Sequence, residues 1–147
     1  MSDTGSGSGA TARPPWHFRV IGILALLWYV SGAVTIQLAQ LGRLPGLDPG
    51  ETAYYAAKPV WLVLVAALGT YGSVLASILL LLRRQASVAL FALVLAIILL
   101  GNAVELADGT SRIYANNGAA IATVVIAAIA VFTVGYARAM SRRGVLR

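Results

Sequence analysis

The chain has 147 residues, of which 59% are hydrophobic and only 11% charged, with a net charge of +6 and a mean hydropathy of +0.83. A soluble domain carries about 25% charged residues, so too little polar surface is present to cover a globule in water. Cysteine is absent and His17 is the only histidine, which excludes disulfides and thiolate chemistry and leaves no His or Cys cluster for a metal.

Residues 1–15 begin MSDTGSGSGATA and end in Pro14 and Pro15. Gly, Ser and Thr cannot supply a core, so a disordered tail is expected. The run GSGSG has no following strand, helix or lysine and is not a phosphate loop. Residues 16–140 read as a four-helix transmembrane domain.

The first span is expected over residues 18–39. At 1.5 Å per residue it crosses a hydrocarbon core of about 30 Å. It is longer than the apolar region of a signal peptide, so an uncleaved span is expected. His17 and Arg19 flank it as interface anchors.

The first connection contains Asp48-Pro49-Gly50-Glu51. Asp48 suits a cap, Pro49 the first helical position and Glu51 the capping box. A short helix through about Ala57 is expected, stopped by Pro59. Tyr54 and Tyr55 place it at the membrane surface.

The second span is expected over residues 60–82, followed by the tight basic turn Arg83-Arg84-Gln85. The third follows over residues 87–107. Asn116-Asn117-Gly118 announces the fourth, over residues 119–139. Residues 141–147 form a basic tail.

With four spans, Arg13, Arg19, Arg83, Arg84, Arg138, Arg142, Arg143 and Arg147 share one side, and Arg43, Lys58 and Arg112 the other. Basic residues are retained in the cytoplasm, so both termini are expected inside, at a bacterial inner membrane. The membrane explains the basic residues, and no nucleic-acid module accompanies them.

Gly69, Ser73 and Ser77 recur every four residues, as do Ala119, Thr123 and Ala127. Small side chains let helix backbones approach closely. Such stripes suit a dimer seam or a groove; packing within the bundle is the plainer reading. Trp28, Tyr29 and Tyr71 fall near the middle of their spans, where an N–H or O–H needs a partner. They suit a ligand pocket or, more plainly, a satisfied core. Asn102 and Glu105 share one helix face. An ionisable residue in a span is a functional candidate, although Glu105 falls close to the outer interface, with Arg112 as an expected partner.

From Phe18 to Arg147 the chain resembles small four-span proteins of proteobacterial inner membranes, often labelled sugar transporters. The residues that carry the resemblance are Ile23-Leu24-Ala25-Leu26-Leu27-Trp28, Asp48-Pro49-Gly50-Glu51 with Tyr54 and Tyr55, Pro59-Val60-Trp61, and the ending Tyr136-Ala137-Arg138-Ala139-Met140 with Arg143-Gly144-Val145-Leu146-Arg147. The resemblance implies no functional residues.

The expectation is an all-α, antiparallel four-transmembrane-helix bundle with a short interfacial helix in the first outer loop. It has no catalytic, metal or cofactor site. Its partners are the lipid bilayer and a membrane protein or a second copy. The leading role is a non-enzymatic accessory or structural subunit; a small solute transporter is the alternative.

Overall fold

A computed structural model describes residues 14–47, 49–107 and 117–146, with the side chains of the last stretch described from residue 124 onward. These residues form five helices and no strand: α1 (Trp16–Gln40), α2 (Pro49–Ala57), α3 (Val60–Leu81), α4 (Ala86–Ala107) and α5 (Asn117–Arg142). Each helix except α2 holds a stretch long and apolar enough to cross a membrane.

The helix boundaries follow from backbone chemistry. Pro15 and Pro59 stand just before α1 and α3 in extended conformation, with φ of −62° and −64°. Proline fixes that angle, and the two prolyl carbonyls accept the amides of Phe18 and Leu62, both at 2.9 Å. At the far ends of α1, α3 and α5 one residue turns left-handed: Gly42 (φ 63°), Arg83 (φ 60°) and Gly144 (φ 69°). The next amide then reaches back five residues, from Arg43 to Leu38, Arg84 to Leu79 and Val145 to Met140, at 2.8–3.0 Å. This closes carbonyls that the helix end would leave orphaned. Arg83 is the only non-glycine among the described residues in that conformation, a strain of about 1–2 kcal/mol. Its side chain offsets the strain: Arg83 Nε donates to the Val145 carbonyl at 2.8 Å.

The four long helices pack as an open ring, α1 against α3, α3 against α4 and α4 against α5, with α2 resting on α1. The start of α1 and the end of α5 meet at one end of the bundle, where the rings of His17 and Tyr136 lie 6.3 Å apart. Toward that terminal end Phe18, Leu80, Phe91, Ala137, Met140, Val145 and Leu146 are buried in one cluster.

The interior is small and the exterior large. Ala25, Ala33, Ser73, Ala76, Ser77, Ala130 and Ala137 are buried, while Leu24, Leu27, Leu64, Leu68, Leu93, Leu100 and Phe132 are exposed. Water would not tolerate such a surface, and lipid tails demand it. The chain is a multi-pass membrane protein. Two buried hydroxyls of α3 give their protons to the preceding turn: Ser73 to the Gly69 carbonyl at 2.7 Å and Ser77 to that of Ser73 at 2.9 Å.

The observed helices overlap the expected spans, with two differences. Helix α5 continues to Arg142, and the tail beyond it is not simply a solvated basic segment. Gly144 turns the chain back, so Val145 and Leu146 are each only 3% exposed.

The glycines of the spans separate by what surrounds them. A Cβ on Gly72 would lie 2.7 Å from Val94 Cγ2, whereas a Cβ on Gly32 would meet nothing within 4 Å. Valine is stiff at χ1 and yields poorly. Gly72→Ala should therefore lower stability by about 1–3 kcal/mol through overpacking. Gly32→Ala should raise it by up to about 1 kcal/mol through helix propensity. Thermal unfolding of both variants in mild detergent checks the opposite signs.

Candidate functional site

Helices α1 and α5 are the two ends of the open ring. Among the described residues, a hydrogen bond between the hydroxyls of Tyr29 and Thr133 at 2.9 Å ties them. Thr133 Oγ1 lies 2.8 Å from the Ile129 carbonyl and donates there, so Tyr29 is the donor of the interhelical bond. From this tie toward the α2 end the two helices flank a cleft of about 540 Å³. Trp28, Tyr29, Gly32 and Ile36 of α1 form one wall and Val125 and Ile126 of α5 the other, with Thr70 and Ser73 of α3 and Ile98 of α4 as the floor. Trp28, Val125 and Ile126 are each 41% exposed, so the cleft opens sideways.

A second, narrower space of about 190 Å³ continues from it. The two share Ile36, Thr70, Ile98 and Ile126 and form one crevice. The upper part is lined by Leu62, Asn102, Glu105 and Lys58. From Leu62 to Ser73 the crevice runs about 16 Å along α3 at 1.5 Å per residue. The volume and the few polar groups on apolar walls are those of a small-molecule site.

Lys58 and Glu105 close the α2 end of the crevice. Lys58 Nζ lies 2.7 Å from Glu105 Oε1, with side chains 12% and 20% exposed. The same ammonium stands 4.6 Å from the ring centre of Tyr54 and 5.8 Å from that of Tyr55, both on α2. One cation therefore joins α2, the start of α3 and the end of α4. Burial alone would lower its pKa, but the hydrogen bonds to Glu105 and Tyr54 outweigh that and hold it above the ordinary 10.5. Burial likewise raises the Tyr54 hydroxyl, against the pull of Lys58.

Of the residues singled out from sequence, Trp28, Tyr29, Asn102 and Glu105 line this one crevice, with Ser73 on its floor. Tyr71 lies apart. It faces the other side of the α1–α3 contact, where Gln37 Nε2 donates to its hydroxyl at 2.6 Å. Gly69 packs on α4, since a Cβ there would lie 3.2 Å from Ile98, and Ser77 is fully buried. The α3 stripe is thus occupied within the chain. On α5, Ala127 is half-buried; the side chains of Ala119 and Thr123 lie outside the described residues. So does Arg112, and the partner that Glu105 has is Lys58. His17 sits at the terminal end against Trp16 and Tyr136, away from the crevice. Among the described residues no three His, Asp or Glu side chains gather.

Lys58 was missed as a site residue, although its position in the chain held the signal. Helices α3 and α4 form a hairpin about the turn at Arg83–Gln85, so a residue before α3 must return close to the end of α4.

Replacing Lys58 with Met should cost about 1–3 kcal/mol, because Glu105 keeps its charge without its cation. A raised lysine pKa stabilises the fold fully below the unfolded value and ceases to do so as pH climbs through the folded one. The difference in thermal midpoint between wild type and Lys58→Met should therefore hold across neutral pH and close above 10.5. No family model matches the chain, and neither a curated protein nor a solved structure is similar to it; the argument for function rests on the crevice itself.

Proposed function

We propose that this is a non-enzymatic accessory protein of the bacterial inner membrane that holds a small, lipid-soluble guest in the crevice between α1 and α5. The carrying observation is the shape of that space. It opens toward the bilayer core at Trp28, Val125 and Ile126, extends to an ion pair at one end, and stops against the packed terminal end. The orientation with both termini cytoplasmic rests on the eight-to-three bias of basic residues. It places the Lys58–Glu105 pair on the periplasmic side. The reading keeps the chain among the small four-span proteobacterial proteins it resembles.

A second reading, a small solute transporter acting as an oligomer, draws on the same ion pair. Lys58 stands between α2 and α3, Glu105 lies on α4, and the two meet by side chains alone, so their contact can break and re-form as a gate without unfolding a helix. Transport also needs an opening at the terminal end, through Phe18, Leu80 and Met140.

The chain contains no cysteine, so single thiols can be introduced without background. Ser31→Cys and Thr70→Cys, in the crevice, should react with a small membrane-permeant maleimide, and Ser77→Cys, in the closed core, should not. Equal labelling at all three positions would remove the crevice and the guest with it. Ser141→Cys should resist an impermeant maleimide in intact cells and react after lysis. For the transporter reading, purified protein in proteoliposomes should take up solute, and Glu105→Gln should abolish uptake while Arg43→Gln leaves it unchanged.

A further inference from the structure

The polar atoms of the crevice are selective about charge. Ser31 donates to the Trp28 carbonyl, Thr35 to that of Ser31, Thr70 to that of Ala66 and Ser73 to that of Gly69, all at 2.7–2.9 Å. Tyr29 gives its proton to Thr133. Every one of these hydroxyls has spent its donor and offers only lone pairs. An anion in the cleft would face a row of acceptors. At the α2 end the one cation, Lys58, is already neutralised by Glu105 at 2.7 Å, and Glu105 is neutralised in turn. A charged head of either sign would have to break that pair or stay unpaired in a dry site, and both are costly.

Asn102 is different. It lines the upper crevice one helical turn from Glu105, and its amide has no hydrogen-bond partner among the described residues. An amide carries one acceptor and two donors. It can therefore give and take a hydrogen bond with a hydroxyl or amide group. Below it, Ile36, Ile98 and Ile126 make an apolar channel continuous with the cleft.

We propose that the guest is an uncharged single-chain amphiphile whose hydroxyl- or amide-bearing head pairs with Asn102 while its apolar tail lies in the cleft between α1 and α5. This rests on the guest-holding reading above and adds the ligand's chemistry to it. The tail enters sideways past Trp28, and the head stops beneath the Lys58–Glu105 pair.

Trp28 at the rim provides the readout. With Trp16→Phe and Trp61→Phe, it becomes the sole tryptophan of the chain. The full-length protein in nanodiscs is titrated with three amphiphiles that share one brominated chain: a monoacylglycerol, an alkyl sulfonate and an alkyl trimethylammonium. The monoacylglycerol should quench Trp28 saturably, with half-saturation at about a tenfold lower mole fraction than either charged probe, the weight of one good hydrogen bond. Asn102→Leu should erase that preference, and Asn102→Gln, which keeps the amide, should retain it. Gly32→Leu places a side chain where nothing lies within 4 Å and should remove saturable quenching by all three. Saturable quenching that is equal for the three heads, or unaltered by Asn102→Leu, overturns the ligand class and leaves the guest-holding reading intact. Non-saturable quenching by every probe, with wild type and Gly32→Leu alike, overturns both.

Discussion

The structure depends on the solvent it is built for. In a hydrocarbon layer no water competes for backbone N–H and C=O groups, so each span must coil to satisfy itself. Lipid also provides no hydrophobic reason for two helices to meet. Contact must come from close approach, dispersion and side-chain hydrogen bonds. The distribution of residues obeys this. Many leucines and valines point outward, while alanines and serines are prominent among the buried residues. The close contacts of Gly69 with Ile98 and of Gly72 with Val94 are the seams along which α3 and α4 hold together.

The crevice is what remains when that packing is not carried around the whole ring. Between α3 and α4 the seam is lined by small residues. Between α1 and α5 the helices meet closely only toward the terminal end, where Tyr29 reaches Thr133. Beyond that tie, Gly32 faces open space, and none of the described side chains fills the gap. The same hydroxyls that keep the helices internally satisfied thus line the cleft with their donors already spent, and its charge preference is a by-product of how serine and threonine survive inside a membrane.

The spans were legible in the sequence because lipid imposes a length and an apolarity that few other structures need. Pro49 and Asn117 marked helix starts, and Pro59 the stop of α2, because their backbone chemistry is local. The grouping of site residues was less legible. Trp28 and Tyr29 are neighbours on the same wall, whereas Tyr71 belongs to another face, because rotation of α3 about its axis is set by contacts that no local pattern records. Arg112 was the nearest basic residue to Glu105 along the chain. Lys58, 47 positions away, meets Glu105 in space because the hairpin folds it back. Within the tail, two apolar residues among arginines gave no sign that Gly144 would turn them inward.

The bond from Arg83 to the Val145 carbonyl spans 62 positions, and it joins the α3–α4 turn to residues translated after α5. During synthesis the turn at Arg83 is made while Val145 does not yet exist, so the left-handed arginine must wait for its acceptor. The bundle's terminal end is therefore sealed by a segment made only after all four long helices. A polypeptide without that segment would keep every span yet lack its clasp, and Arg83 would hold its left-handed turn without an acceptor.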